Sequence, residues 1–232
     1  MICDHRWPEL DNPFWTSLTT RQAHMGRGAA LARRFLPAYS PIAAVSGAGQ
    51  EHAAALQELV DVGDTVGVTG PHIPSLPANW QITYESQLTQ MIRVDGSMLS
   101  TGEVEVVSLG SADVADMLGL VASTKPGPFA SRTIEFGAYV GVRDGARLLA
   151  MAGERIWAGH CREVSAVCTH PHSTGRGYAR ALLARVVNRM LRAGQTPFLH
   201  VESHNLRAIE LYGSLGFTRR TTYPLLQARR LA

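Results

Sequence analysis

The chain has 232 residues, of which 45% are hydrophobic and 18% are charged, and its formal net charge is +3. This charged fraction is below the roughly 25% usual in soluble domains, which argues against long disordered charged tails and against a coiled coil. No stretch approaches ~18 consecutive apolar residues, and the first residues lack the basic-then-apolar order of a secretory signal. We therefore predict a folded cytoplasmic protein of one or two domains.

The residue types exclude several classes of site. Cys3, Cys161 and Cys168 are scattered without CxxC spacing, so we expect reduced thiols and no structural zinc site. Lys125 is the only lysine and no Walker A sequence is present, which argues against P-loop and kinase-type enzymes.

The charge is unevenly distributed along the chain. Residues 1–102 carry a net charge of −3 and residues 103–232 carry +6. An excess of this size suits a phosphate-bearing small molecule. Blocks of Lys and Arg with interleaved aromatic residues, which would favour nucleic acid, are missing from the sequence.

The first hundred residues show alternating short elements without recognisable chemistry. We predict a helix from Phe14 to about Phe35, a second helix over 50–60 and a strand over 64–69. Residues 80–94 are expected to hold one or two further strands, and residues 95–102 to join the two halves of the chain.

The second half carries clearer signals for where helices and strands begin and end. We predict a strand over 103–109, a helix capped by Ser111, and a hairpin whose turn is Asp144-Gly145. A strand follows over 162–169. Its alternation places Val164, Ala166 and Cys168 on one face and Glu163, Ser165, Val167 and Thr169 on the other.

The remaining predicted elements are a helix, a strand, a short helix and a last strand. The helix runs from Gly177 to about Gly194, with apolar residues at helical spacing. A strand over 196–201 is followed by a short helix that Asn205 is expected to cap, and a final strand runs over 217–223.

A glycine-rich turn connects the strand over 162–169 to the helix that begins at Gly177. Such a turn presents unpaired backbone N–H groups at the positive end of the helix dipole, which favours a phosphate. Gly175 and Gly177 let the backbone approach a pyrophosphate, while Arg176 and Arg180 add positive charge. An isolated Gly-x-Gly segment is more often an ordinary turn into a surface helix, and the third glycine and the downstream acid of a dinucleotide-binding fingerprint are missing from the sequence.

The surrounding sequence resembles two motifs of the GNAT superfamily of acetyl-CoA-dependent N-acetyltransferases. Residues 167–180, Val-Cys-Thr-His-Pro-His-Ser-Thr-Gly-Arg-Gly-Tyr-Ala-Arg, resemble motif A, whose pattern is Gln/Arg-x-x-Gly-x-Gly/Ala after a strand. Residues 197–217 resemble motif B, with the family's Asn-x6-Tyr spacing at Asn205 and Tyr212 and a Leu-Gly-Phe ending. One departure is Thr174, which stands where the family has Gln or Arg.

The resemblance covers roughly residues 103–225 and implies the fold class. We expect an α/β protein of the α+β type, with a mixed, mostly antiparallel sheet flanked by helices and a catalytic domain over residues 101–232. Residues 1–100 form a smaller α/β region that shows neither motif. Some relatives, such as the glycine N-acyltransferase group, precede the catalytic half with a degenerate copy of the same fold, and this is our interpretation of that region.

The resemblance also implies a site for acetyl-CoA, the acetyl donor. A bulged strand that splays from its neighbour would contact the pantetheine arm, the glycine-rich turn would hold the pyrophosphate, and Asn205 would contact the pantetheine. Tyr212 would donate a proton to the leaving sulfur. The implied cofactor-binding residues are Val167, Cys168, Thr169, Thr174, Gly175, Arg176, Gly177, Tyr178, Ala179, Arg180, Asn205 and Tyr212.

Two residues are candidates for the general base that takes the proton from the amine. Glu163 lies near the position of a catalytic glutamate in several relatives, and an ion pair with Arg155 or Arg162 is the alternative. His200 lies five residues before Asn205, and a buried hydrogen bond within the core is its alternative. Glu202 is a weaker third choice.

We expect no metal, because the His170-x-His172 pair and the pair formed by His200 and His204 occupy different loops and strands.

The predicted function is transfer of an acetyl group from acetyl-CoA to a primary amine of a small molecule, amino acid or peptide, in a ternary complex. The alternative is a module that holds acyl-CoA without turnover. We expect a monomer or homodimer without nucleic-acid or membrane partners. The sequence leaves the amine open.

Overall fold

The computed structural model describes residues 6–232, and within this range eleven strands form one sheet. Its strands are β1 (Gly26–Gly28), β2 (Ala32–Phe35), β3 (Ile42–Val45), β4 (Thr65–Thr69), β5 (Trp80–Ile92), β6 (Val107–Leu109), β7 (Tyr139–Asp144), β8 (Arg147–Ala158), β9 (Cys161–Thr169), β10 (Thr196–Glu202) and β11 (Thr218–Arg230). The strand order is β1-β2-β3-β4-β11-β5-β10-β9-β8-β7-β6. The pairs β3–β4 and β9–β10 are parallel and the other described pairs are antiparallel, which confirms the predicted fold class.

Helices cover both faces of the sheet. They are α1 (Pro13–Thr19), α2 (Gln50–Leu59), α3 (Val114–Thr124), α4 (Tyr178–Arg192) and α5 (Leu206–Gly213). Phe198 of β10 packs into the cluster that contains α1, whereas its neighbour Leu199 packs into the cluster that contains α4 and α5. Because consecutive strand residues point to opposite faces, α1 lies on one face and α4 and α5 on the other.

The two halves of the chain share this sheet. β5 comes from the first half, yet it lies between β10 and β11 and pairs antiparallel with both. The hydrogen-bonded ladder therefore continues across the chain boundary near residue 100. The division into a region over 1–100 and a catalytic domain over 101–232 stays a prediction.

The long first helix that we predicted is wrong. α1 ends at Thr19, and β1 and β2 follow within the range where the helix was expected. Gly26 explains the change, because a Cβ there would lie 2.5 Å from Leu18 and 2.6 Å from the carbonyl oxygen of Arg34. β1 therefore approaches its neighbours as only glycine allows. The predicted second helix and the strand over 64–69 are confirmed as α2 and β4.

In the second half the hairpin at Asp144-Gly145 is confirmed, as are the elements from β9 to α5. The last strand exists but is longer than the predicted 217–223, because β11 continues to Arg230 in its pairing with β4 and β5. The predicted strand over 103–109 is limited to β6. Ser111 does not cap α3. Instead it starts a 3-10 turn, and the carboxylate of Asp113 accepts from the N–H of Gly110 at 2.8 Å. Across residues 6–232, every helix falls short of the length and apolar character that crossing a membrane would require.

Candidate active site

A bulge interrupts β9 at Ala166. This residue has a positive φ of 52°, and β8 pairs Met151 with Cys168 but Gly153 with Ser165, so that β9 holds one extra residue. After the bulge Val167 packs toward the cluster of Val164, and Cys168 packs on the opposite, α3 side. The predicted shared face of Val164 and Cys168 is therefore wrong, because a bulge shifts the alternation by one residue.

β9 and β10 separate next to this bulge. Their parallel pairing runs from Cys161 opposite Thr196 to Val164 opposite Leu199 and stops there. Beyond that point, within the described range 6–232, β9 pairs only with β8, and β10 pairs only with β5. A bulged strand that splays from its parallel neighbour is the feature that the resemblance implies, and Val167, Cys168 and Thr169 lie along it.

The glycine-rich turn lies directly after β9, at the start of α4. Gly175 and Gly177 have φ values of 79° and 77°, in the left-handed region that side chains other than glycine rarely adopt. Apart from each glycine and its chain neighbours, no atom of residues 6–232 lies within 4 Å of the position that a Cβ would occupy at either glycine. The chain itself therefore leaves the space above both residues open.

This turn also carries a row of unpaired donors. Among residues 6–232, none of the backbone N–H groups from Thr174 to Arg180 has a hydrogen-bond acceptor. The hydroxyl of Thr174 donates to the carbonyl of Pro171, and the Arg180 guanidinium donates to Ser214 at 2.7 Å. Arg176 is exposed beside the row. Free N–H groups at the positive end of a fifteen-residue helix are suited to bind an anion.

α5 carries the two residues of the Asn-x6-Tyr spacing. Asn205 caps the helix as predicted, because its side-chain oxygen accepts from the N–H of Ala208 at 3.1 Å. Tyr212 lies two turns further on and is 8% exposed, and its hydroxyl has no partner among residues 6–232. Burial, together with the nearby thiol of Cys168, raises the pKa of Tyr212 to about 12. The phenol therefore keeps its proton at neutral pH and can donate it.

Glu163 and His200 lie on the other face of the sheet, beneath α1, in a buried network. Arg155 donates to both carboxylate oxygens of Glu163, at 2.7 and 2.6 Å, and His200 Nδ1 lies 2.7 Å from the same carboxylate. The side chains of Glu163 and His200 are 0% and 2% exposed. The ring of Phe14 from α1 stacks on His200 at 5.5 Å between centroids.

The proton on His200 can be placed from its neighbours. Arg220 can only donate, so the Gln90 atom 3.1 Å from it is the amide oxygen, and the Gln90 nitrogen donates to the carbonyl of Leu10. The same nitrogen lies 3.2 Å from His200 Nε2. His200 Nε2 is therefore the acceptor, and Nδ1 carries the proton toward Glu163.

This geometry corresponds to the alternatives that the sequence left open for both residues. Glu163 forms an ion pair with Arg155, and His200 forms buried hydrogen bonds. Burial would raise the pKa of Glu163, but Arg155 and His200 hold it at about 2. With both His200 nitrogens engaged and the carboxylate fully paired, neither group is free to accept a proton from an amine.

A more accessible carboxylate lies past the splay, at the end of β10. Glu202 accepts from the Tyr84 hydroxyl at 2.6 Å and from Ser86 at 3.3 Å, and His204 lies 3.3 Å away. Its side chain is 34% exposed. The sequence ranked Glu202 third and did not identify Tyr84 or Ser86. The polar residues at alternate positions of β5 were the available signal, but nothing in the sequence placed β5 beside β10.

Known proteins resemble this chain in sequence and in structure. A family model described as FR47-like protein matches residues 139–225. A solved structure from Novosphingobium aromaticivorans, assigned to the GNAT family as an acetyltransferase, is 36% identical, with a TM-score of 0.89 and coverage of 97% of this chain and 99% of that chain. No match was found among the curated proteins.

Two more distant structures share the fold alone. One is a GCN5-related N-acetyltransferase from Kribbella flavida, 13% identical, with a TM-score of 0.62 and coverage of 91% of this chain and 93% of that chain. The other is a GCN5-related N-acetyltransferase-like protein from Streptococcus suis, 13% identical, with a TM-score of 0.59 and coverage of 97% and 95%.

The fold and the splayed strand pair are those of an acyltransferase. The chain belongs to the GNAT family, which supports acetyl transfer as its general class of activity.

Proposed function

We propose that this protein is an N-acetyltransferase that transfers an acetyl group from acetyl-CoA to a primary amine in a ternary complex. The observation that carries the proposal is the row of seven N–H groups from Thr174 to Arg180 that have no acceptor within residues 6–232. This row begins five residues after the end of the splayed β9 segment at Thr169. We place the activity in the cytoplasm, where thiols such as the free Cys161 and Cys168 stay reduced.

The donor side of the site follows from this row. The pyrophosphate of acetyl-CoA would accept from the N–H groups of the turn, and Arg176 would add charge. The pantetheine arm would lie along Val167 to Thr169, where the backbone has lost its pairing with β10. Asn205 uses its oxygen to cap α5, so its amide N–H groups remain for the pantetheine.

The acetyl transfer involves two proton transfers, one from the amine and one to the departing thiolate. The amine nitrogen attacks the thioester carbon, the carbon–sulfur bond then breaks, and the departing thiolate takes a proton. Tyr212 is the proposed donor of that proton, since its phenol is protonated at neutral pH and its hydroxyl is unpaired among residues 6–232.

We assign the acceptor side to Glu202 instead of Glu163 and His200. The partly exposed carboxylate of Glu202 would attract the ammonium form of the substrate and receive the proton that the amine loses, directly or through water. Tyr84 and Ser86 hold this carboxylate in place. Glu163 and His200 are proposed as structural residues that fix β9 and β10 beneath α1.

The experiment is release of CoA from acetyl-CoA across a panel of small amines, amino acids and peptides. We expect turnover with at least one primary amine, and loss of most of it in Tyr212→Phe. Glu202→Gln should lower kcat/KM for the amine. Glu85→Gln, on neighbouring β5, is the matched control and should behave as wild type.

The second candidate is a module that holds acyl-CoA without turnover. It is favoured by one observation, the complete engagement of Glu163 and His200 in structural contacts. The same assay separates the two. Binding of acetyl-CoA with no CoA release on any amine of the panel would favour the module.

A further inference from the structure

Three metal-ligating side chains meet where the N-terminal segment crosses the β8–β9 turn. Glu9 lies in the 3-10 turn Pro8–Leu10. His160 lies in the tight turn between the two strands, and Cys161 is the first residue of β9. This cluster is separate from the proposed acetyl-CoA site.

The ligand atoms have the spacing of one coordination sphere. His160 Nδ1 is 3.3 Å from Glu9 Oε1, the Cys161 sulfur is 3.7 Å from the same oxygen, and all three ligand atoms lie within 4.8 Å of one another. In a tetrahedral zinc site, bonds of about 2.0–2.3 Å to N, O and S place neighbouring ligand atoms roughly 3.3–3.6 Å apart. The cluster therefore needs little adjustment to hold one ion.

The surroundings favour a built site over a chance contact. Cys161 is fully buried, Glu9 is 15% exposed and His160 is 63% exposed. The thiol therefore lies on the buried side of the cluster and the imidazole on its solvent side. Gly159 has a φ of 59°, and a Cβ there would lie 2.9 Å from the Glu9 carboxylate. The left-handed φ favours glycine at this position, which lies beside the Glu9 carboxylate.

The local charges are compatible with a divalent cation. A carboxylate and a thiolate together balance two positive charges. Arg220 is the nearby cation that acts on Cys161, and its guanidinium is already paired with Asp11.

We propose that Glu9, His160 and Cys161 bind a zinc ion, with the fourth position open to water on the exposed His160 side. The ion would link the 3-10 turn Pro8–Leu10 to the turn between β8 and β9. This assignment differs from the sequence-based expectation of no metal, because Glu9 lies 151 positions or more from its two partners in the chain.

The test is titration of the chelator-treated full chain with Co²⁺ and then Zn²⁺. We expect one Co²⁺ per chain with a thiolate-to-cobalt charge-transfer band, displacement of Co²⁺ by Zn²⁺, and a higher melting temperature with zinc. His160→Ala, Glu9→Gln and Cys161→Ser should each weaken binding more than about 100-fold, since even a residue that only orients a ligand is worth about 10- to 100-fold.

Two controls keep the result interpretable. His160 is exposed, so His160→Ala tests the ligand without disturbing the core around Cys161. Cys168→Ala and His172→Ala remove another buried thiol and another exposed imidazole, and both should bind Co²⁺ as wild type. The absence of a charge-transfer band in wild type, or a band that persists in both His160→Ala and Cys161→Ser, would overturn the proposal.

Discussion

The two faces of the sheet around β9 differ in whether their polar groups have hydrogen-bond partners. On the side of α4, the N–H groups from Thr174 to Arg180 have no acceptor among residues 6–232 and line an open turn. On the side of α1, Glu163 and His200 are almost without solvent contact, and their polar atoms are paired with Arg155 and Gln90. Unpaired N–H groups at the start of a helix favour an anion, whereas fully paired buried groups indicate a structural role.

The largest expected effect concerns the buried network of Glu163, Arg155 and His200. Glu163→Gln leaves Arg155 buried without its counter-charge, and we expect a loss of about 3–5 kcal/mol in the free energy of unfolding. Denaturant unfolding measures it. The remaining folded enzyme should keep kcat within a few-fold of wild type. A stable variant with kcat reduced 100-fold would make Glu163 catalytic instead.

The same residue predicts the dependence of stability on pH. The pKa of Glu163 is about 2 in the folded protein, below its ordinary value of 4.5. Its contribution, about 3 kcal/mol, is therefore complete above pH ~4.5 and is lost as the pH falls toward 2. The stability gap between wild type and Glu163→Gln should narrow over that range. A gap that stays constant from neutral pH to pH ~3 contradicts this.

Next in size is the effect of Tyr212→Phe on catalysis. Removing the proposed proton donor should lower kcat about 100-fold and leave KM for acetyl-CoA nearly unchanged. Tyr223→Phe is the matched control, because burial also raises the pKa of Tyr223 to about 12 while its hydroxyl donates to the carbonyl of Leu10. That variant should lose stability but not kcat. Equal losses of kcat in both variants would remove the assigned role of Tyr212.

A smaller effect is expected at the anion site. Gly177→Ala strains a φ of 77° and places a methyl group where the phosphate would approach, so KM for acetyl-CoA should rise about 10-fold. Gly194→Ala carries the same kind of strain, with a φ of 69° and open space, at the opposite end of α4. Both variants should lose about 1 kcal/mol of stability. Only Gly177→Ala should change KM.

The smallest effect concerns the departure at position 174. Thr174→Gln restores the side chain that the motif carries, and one added hydrogen bond of about 0.5–1 kcal/mol should lower KM for acetyl-CoA about 3-fold. Thr174→Ala should leave KM near the wild-type value, since the Thr174 hydroxyl already donates to Pro171. A rise in KM for Thr174→Ala would show that the threonine itself contacts the cofactor.

The sequence predicted the glycine-rich turn and the start of α4 because both are local. β9, its turn and the start of α4 are contiguous over 167–180, so glycine spacing and helix periodicity were enough. The buried network depends on contacts across 37 positions between Glu163 and His200 and across 110 positions between Gln90 and His200. No periodicity within one strand can show which side chain another strand or α1 will bring against it.

Two predictions made from the sequence are wrong for the same reason. The apolar spacing of Phe14 and Leu18 fits a helix, but close packing of Gly26 against Leu18 and Arg34 ends it in favour of β1. The strand alternation that paired Val164 with Cys168 was correct up to Ala166, where the bulge reverses it. In both cases tertiary contacts decided the conformation of a segment whose local pattern allowed another.

The most direct test of the central claim is amide hydrogen exchange of the chain with and without CoA. The unpaired N–H groups from Thr174 to Arg180 should exchange rapidly in the free protein and at least about 10-fold more slowly when CoA is bound. The amides of β10 around His200 should be unchanged. Saturable binding of CoA that leaves exchange of residues 174–180 unaltered would contradict the assignment of this turn as the phosphate site.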